Sequence, residues 1–521
     1  MHLSNFYTKY SVYIHVFAFF WAIFALTNSG MDSSEGDYHY QVAVQVIKHH
    51  RLSFDTLPSG IFTTAPNGLS YASHEIGNTL FMLPTALVNI VLESILSNKV
   101  NPERIQRIQS FIFSFQSGFC SACTLTVLFY LLHKVFLKNY FISFFSCFSL
   151  AFTTFFWTYS RNAFDGVFCS LLLSSGITLI FQYRRQQRST PFLLSGFAFL
   201  GLALITRLSM LLAIFSAIIY LLVSYRRSAI GIFQELLLVT ASLIPFVIWQ
   251  AYYNNLRTGI FYKSPVQLPI YESNALDGNL ITGLTGLILS PGKGIFIYAP
   301  LSILTLVIFR SFSRRYPKES IFIATFTVLW FLLHARLRSW YGAWGWGPRH
   351  VITILPFLLL PLAASFEVIW KTRGLRWSAT ILGGFGFLLA ISSMISNWHF
   401  RMAYLDEQGL LSDSTFVWSL SENQAIDMLK STVGNIIRVL IDAAPLVIRD
   451  SYSPANEYAS STINFWPNSL LYAGFPGYVV AILILPLLAT AFFSGKAILS
   501  RCCQEPLDNA QIQVLAISQK Q

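Results

Sequence analysis

The feature that most constrains this chain is a succession of long apolar runs separated by short charged patches. The runs are 12–27, 75–96, 108–133, 140–159, 164–183, 191–224, 230–253, 294–310, 320–335, 350–370, 377–395 and 471–494, with ends good to several residues. A bilayer core asks a helix for roughly 20 apolar residues. Backbone polar groups in lipid must pair within the segment, so such runs predict helices. The 521 residues are 54% hydrophobic and 11% charged, against about 25% charged in an ordinary soluble domain. The expected fold class is an all-α polytopic membrane protein with about 12 transmembrane helices.

Charge placement sets the expected topology. A net charge of +12 would point to nucleic acid in a soluble protein. Here Arg184-Arg185, Arg226-Arg227 and Arg314-Arg315 stand at the ends of apolar runs, as in the positive-inside pattern. Nucleic acid is therefore not an expected partner, whereas membrane lipid is. Lys9 precedes an apolar stretch from Val12 to Leu26 with no small-x-small cleavage site, which reads as an uncleaved signal anchor. Cys120 and Cys123 form a C-x-x-C with no second pair nearby. They read as small apolar residues of a membrane helix, not as zinc or redox ligands.

The run 191–224 is too long for one crossing and has basic patches at both ends. It is expected to be two short spans that turn near Thr206-Arg207, which relieves the cost of placing Arg207 in lipid. The patches Arg310 to Lys318, Lys371 to Arg376 and Lys496 to Arg501 are then cytoplasmic, as are both termini, in the cell (inner) membrane. The loops 28–74, 254–293 and 396–470 fall on the outer face. The linker 336–349 joins them there with Arg336, Arg338 and Arg349, against the topology rule, and so suggests an anionic ligand. The run 75–96 contains Asn78, Pro84, Asn89 and Glu93, and the crossing count is consistent if it inserts partly or if one neighbour does not cross fully. No internal repeat is visible, and no inverted-repeat pattern of the transporter kind.

Five outer strings carry candidate chemistry. The first loop opens Met31-Asp32-Ser33-Ser34-Glu35-Gly36-Asp37-Tyr38-His39-Tyr40. It offers three carboxylates, any of which can act as a general base towards a hydroxyl; a solvated acidic turn is the plainer reading. Gln41 to Lys48 has amphipathic helical spacing suited to the membrane surface. His74-Glu75 closes the loop with donors that suit a divalent metal. In Tyr159-Ser160-Arg161-Asn162-Ala163-Phe164-Asp165, Asp165 is either a second acid of a site or the ion-pair partner of Arg161, four residues before it. Ser290-Pro291-Gly292-Lys293-Gly294 lacks P-loop spacing, but Lys293 can meet a phosphate as a point charge. Finally, Trp340-Tyr341-Gly342-Ala343-Trp344-Gly345-Trp346-Gly347-Pro348-Arg349-His350 mixes aromatics that can stack on a sugar or prenyl chain with an arginine that can clamp phosphate. An interfacial aromatic belt is its plainer reading.

In this order, these strings resemble bacterial C-type (GT-C) glycosyltransferases, the superfamily of protein mannosyltransferases and aminoarabinose transferases. The elements are the acidic first loop with Tyr40 and Ala43, the Tyr71 to Pro84 re-entry, Tyr159-Ser160-Arg161, Thr206-Arg207, Ser290 to Gly294 and Trp340 to Arg349. The resemblance runs from about residue 12 to about 395. It implies a GT-C-like membrane domain over 1–395 with a catalytic loop at 28–74. The region 396–470, which varies with acceptor, and a last helix with a cytoplasmic tail over 471–521 would follow.

The implied activity is sugar transfer, hexosyl or pentosyl, from a polyprenyl-phosphate donor to a glycan, lipid or protein acceptor on the outer face. The implied catalytic acid is Asp37, with Glu35 and Asp32 as rivals because the commoner Asp-Glu pair is absent. Asp165 maps to the second acid. Tyr40, Lys293, Arg207, Trp344, Trp346 and Arg349 are the expected substrate contacts, and His74 and Glu75 the expected ligands if a divalent metal takes part. The competing expectations are a transporter or lipid flippase, or a non-catalytic relative in envelope assembly. Convergence of Asp37, Asp165 and Arg349 on one cavity separates the enzyme from the latter.

Overall fold

The computed structural model describes residues 2–30, 36–58, 61–161, 164–185, 189–223, 229–265, 276–342, 344–410, 414–421, 423–441, 463–472 and 475–504. Among these, seven helices are long and apolar enough to cross a membrane: Gly77–Leu96, Pro102–Val135, Asp165–Arg185, Ile230–Thr258, Pro317–Ala335, Arg373–Ile395 and Gly477–Gln504. Six shorter apolar helices accompany them: Ser11–Leu26, Tyr140–Phe152, Thr190–Leu204, Leu208–Val223, Leu280–Leu289 and Arg349–Ala364. The polytopic all-α expectation holds in that form. One small departure is a pair of antiparallel strands, β1 (Phe62–Thr64) and β2 (Ser70–Ala72), with Thr63 opposite Tyr71.

Local chemistry explains several boundaries. Asn101 caps Pro102–Tyr130, its side chain accepting from Glu103 N at 3.0 Å, with proline in the first turn. Asn139 caps Tyr140–Phe152 in the same way, accepting from Ile142 N at 2.8 Å. Gly176 and Gly196 let Asp165–Arg185 and Thr190–Leu204 pack closely: a Cβ on Gly176 would lie 2.8 Å from the Gly196 carbonyl oxygen. Small residues at such crossings are the usual means of helix association in lipid.

The run 191–224 breaks where its charge pattern requires. Thr190–Leu204 stops, Arg207 takes an extended backbone (φ −155°), and a 3-10 turn at Leu208–Met210 leads into Leu211–Val223. The run 75–96 forms one continuous helix, Gly77–Leu96, long and apolar enough to cross by length and composition. The polar residues that argued against it are partnered instead. Asn89 Nδ2 donates to Tyr40 Oη at 2.8 Å and to the Gln109 carbonyl at 3.1 Å, and Glu93 pairs with Lys48 at 3.0 Å.

The two ends of the bundle differ chemically. At one end the basic patches meet buried or half-buried carboxylates: Arg185 with Glu319 at 3.0 Å, Arg184 with Glu235 at 3.7 Å, and Lys138 and Arg315 with Glu367 at 2.7 and 3.6 Å. Helix Asp165–Arg185 runs from there to the other end, about 30 Å away at 1.5 Å per residue. That far end carries Asp165 and the candidate site.

Candidate active site

Arg207 is the hub. Its Nη1 lies 3.7 Å from Asp165 Oδ1, and both side chains are more than four-fifths buried. Its Nη2 donates to His350 Nδ1 at 3.1 Å, and His350 Nε2 in turn donates to the Ser339 carbonyl at 3.4 Å. These two contacts assign the proton to Nε2. The Trp330 ring lies 5.7 Å from the guanidinium, and Trp330 Nε1 donates to the His350 carbonyl at 3.0 Å. Arg207, His74, His39 and Arg349 are the titratable groups close enough to act on Asp165. The first loop, the 159–165 turn, the Arg207 break and the aromatic loop therefore converge.

His39 comes from the surface helix Gly36–His49 and His74 from the end of β2's loop. Their rings lie 6.3 Å apart, with Tyr38 against both. His39 Nδ1 is 3.0 Å from Thr79 Oγ1. Burial, and then the neighbouring His74, push the His39 imidazole down to about 3, so it is neutral at pH 7.

Arg349 and Lys293 supply the remaining cations. The Arg349 guanidinium stands 5.5 Å from the Phe164 ring. Its stem passes over two glycines: a Cβ on Gly342 would lie 2.7 Å from Arg349 Cγ, and a Cβ on Gly345 2.7 Å from Arg349 Cβ and Cδ. Gly342 also has φ +72°, which side chains rarely adopt. Lys293 is fully buried and donates to the Gly345 carbonyl. Burial, and then the charge of Arg349, hold its ammonium well below the usual lysine range. Its turn closes through Gly294 N to the Ser290 carbonyl at 2.7 Å. Residues that follow the spanning helix Arg373–Ile395 cap that turn: Gly292 N donates to the Val417 carbonyl at 2.9 Å, and Gln424 Nε2 to the Gly292 carbonyl at 2.8 Å.

Several expected residues stand elsewhere. Arg161 is not the partner of Asp165. Its Nε and Nη2 donate to the Thr27 carbonyl at 2.8 and 2.5 Å, and Nη2 also to the Met394 carbonyl at 2.7 Å. Helix Phe156–Tyr159 ends before Arg161 and Asp165 opens the next helix, so the four-residue spacing of a continuous helix does not apply. Trp346 is fully buried, edge-on to Tyr298 at 5.2 Å. It has no open face for a sugar and serves as core beneath the loop. Trp344 is half-buried against the same core, and Tyr159 Oη donates to the Trp346 carbonyl at 3.0 Å.

Tyr40 packs on Phe113 at 5.1 Å, its hydroxyl held by Asn89. Asp37 lies in the first turn of Gly36–His49 on its exposed side, accepting from Gln41 Nε2 at 3.3 Å. Asp32 and Glu35 fall outside the described residues.

The metal expectation does not fit the donors present. Glu75 accepts from Ser264 Oγ at 2.9 Å and pairs with Arg257 at 3.7 Å. Arg257, fully buried, also donates to the carbonyls of Ser73 and His74 at 2.8 Å each. Glu75 thus belongs to a structural clamp that closes the first loop. Among the described residues, no group of three His, Cys, Asp or Glu is placed to hold an ion. Sequence reasoning gave no role to His39 or His350. The only signals were their positions, two residues after Asp37 and one after Arg349.

No protein-family model and no curated protein matches the chain. Several solved structures resemble it. One is ArnT from Cupriavidus metallidurans bound to undecaprenyl phosphate, at 11% identity and TM-score 0.49, covering 92% of this chain and 78% of that one. The apo state of the same protein gives 11% and 0.46, covering 88% and 85%. The archaeal oligosaccharyltransferase AglB from Archaeoglobus fulgidus, in complex with an inhibitory peptide and a dolichol-phosphate, gives 11% and 0.34, covering 96% and 56%.

Proposed function

We propose that this chain is a membrane glycosyltransferase that moves a sugar from a polyprenyl-phosphate donor to an acceptor hydroxyl. The observation that carries the reading is a convergence: Arg207 lies 3.7 Å from Asp165, Arg349 is close enough to act on the same carboxylate, and Lys293 stands beside Arg349. Guanidinium forks gathered with a lysine at one site match an anion of phosphate chemistry. Arg349, with its planar fork, is the best group to grip it. The order of motifs along the chain then favours a sugar phosphate over other anions.

In this reading the acceptor oxygen forms a bond to the anomeric carbon while the bond from that carbon to the phosphate oxygen breaks. The acceptor proton passes to a first-loop carboxylate, Asp37 being the best placed by motif. The departing polyprenyl phosphate keeps the electron pair and is stabilised by Arg349 with Arg207 or Lys293. Attack from the side opposite the phosphate inverts the anomeric centre. Asp165 and His350 hold the Arg207 fork in orientation.

The test is transfer of radiolabelled sugar from polyprenyl-phosphate donors in proteoliposomes containing envelope extract as acceptor. Asp37→Asn should abolish transfer while the protein still inserts; full transfer in that variant would remove Asp37 from the mechanism. Substrate uptake with no sugar transfer would favour the transporter reading instead.

A further inference from the structure

Helix Gln424–Leu440 lies in the segment that the motifs do not explain. Its side chains divide into three faces. The first is buried and partly polar: Gln424, Ala425, Met428, Thr432 and Asn435. This face is pinned to the last turn of the spanning helix Arg373–Ile395. Thr432 Oγ1 donates to the Ser392 carbonyl at 3.2 Å, and Asn435 Nδ2 to Ser396 Oγ at 3.3 Å. The second face, with Asp427, Ser431 and Arg438, is polar, and Arg401 Nε holds Asp427 at 2.8 Å. The third is apolar and faces away from the protein: Ile426, Val433, Ile436, Ile437 and Leu440 are all exposed, Val433 by 57% and Leu440 by 79%.

A helix on a water-soluble surface does the reverse, burying its apolar stripe and wetting its polar one. Here the protein takes a polar seam and leaves the stripe open. The stripe's level is fixed by its attachment, because Ser392 to Ser396 end a candidate span. The helix thus rides at the depth where hydrocarbon gives way to headgroups. Lys430 is exposed between the apolar and polar faces, and Arg438 is half-buried on the polar face. These are positions from which cations reach lipid phosphates. Trp418 and Leu420, just before the helix, are exposed as well, and tryptophan favours that same boundary.

We propose that Gln424–Leu440 is an in-plane interfacial helix whose apolar stripe is covered by the lipid surface at the site end of the bundle. Its first residue, Gln424, holds the turn that carries Lys293. The bilayer surface therefore sets the height of the roof over the candidate site. The inference rests on the chain's membrane insertion and not on the sugar-transfer reading.

The experiment places the photo-cross-linker p-benzoylphenylalanine at Val433, Ile437 or Leu440 of the full chain, in vesicles of phosphatidylethanolamine and phosphatidylglycerol. Intact mass then reads the adducts. Phospholipid adducts are expected at all three, and about tenfold fewer at Ser431 on the polar face. Equal lipid labelling of both faces, or cross-links from the stripe to a second copy of the chain or to another protein, would overturn the proposal. The three positions are exposed, so loss of one variant to misfolding leaves the other two to decide.

Discussion

Replacing Gly345 with alanine tests the grip of Arg349 on phosphate without touching a charge. The added Cβ would lie 2.7 Å from both Cβ and Cδ of Arg349, whereas carbon atoms in good contact sit about 3.5–4.0 Å apart. The arginine stem must therefore move by about 1 Å. Gly345 is not among the positive-φ glycines, so alanine there brings no left-handed strain, and the cost falls on Arg349. A hydrogen bond to a charged group contributes about 1.5–3 kcal/mol, so losing its alignment weakens binding by about 10- to 150-fold. The assay is titration of purified, detergent-solubilised protein with undecaprenyl phosphate, followed by native mass spectrometry. Gly345→Ala should bind within about threefold of Arg349→Ala, with a melting temperature close to that of the parent. Gly342→Ala should lose binding too, and should also melt earlier, because φ +72° adds about 1–3 kcal/mol of strain. Parent-like binding by Arg349→Ala would refute the phosphate role of Arg349. Parent-like binding by Gly345→Ala alone would show that the stem's placement is not what holds the ligand.

Asp165→Asn leaves Arg207 without its carboxylate. Because the pair is 3.7 Å apart and about one-sixth exposed, the expected loss is about 1–3 kcal/mol, below the range for a fully dry pair, and thermal melting in detergent reads it; an unchanged melt would deny that the pair orients Arg207. Glu75→Ala should lower the melting temperature more than Asp165→Asn does, because Arg257 is fully buried; if added divalent cation shifts the parent's melt and Glu75→Ala abolishes that shift, the clamp reading fails. His39 has its pKa depressed to about 3 in the folded chain against about 6.5 when unfolded. Between these values the unfolded state binds more protons, so stability is complete above about pH 6.5 and falls as pH drops towards 3. His39→Gln should flatten that limb of the melting-temperature profile, and an unchanged slope would contradict the burial of a neutral imidazole.

How far the sequence reaches can be judged at particular residues. Arg207 was legible because an arginine inside a run of 34 apolar residues has to mark a break, and the helix does stop there. The same charge logic treated the polar residues of 75–96 as unpaired. Asn89 and Glu93 look costly in lipid when read along one strand of sequence, but their partners Tyr40, Gln109 and Lys48 come from other segments. The pairing of Asp165 with Arg161 failed for a related reason. Spacing of four residues implies contact only in a continuous helix, and here one helix ends at Tyr159 and the next begins at Asp165. Trp344 and Trp346 read as one aromatic surface, yet their two-residue offset puts one half-buried and the other beneath the loop in the core.

The sequence by itself determined that the chain is a bundle of apolar helices, where the long run divides, and which strings carry acids and cations. Those properties follow from local composition, because lipid imposes the same demand on every segment that enters it. Only the tertiary structure decided that Asp165 answers to Arg207, that Glu75 serves Arg257, that His39 and His350 stand beside the charges, and that helix Gln424–Leu440 turns its apolar stripe away from the protein. Each of these depends on contacts between segments tens to hundreds of residues apart, and ion pairs and hydrogen bonds at that range are set by how helices pack, not by their spacing along the chain.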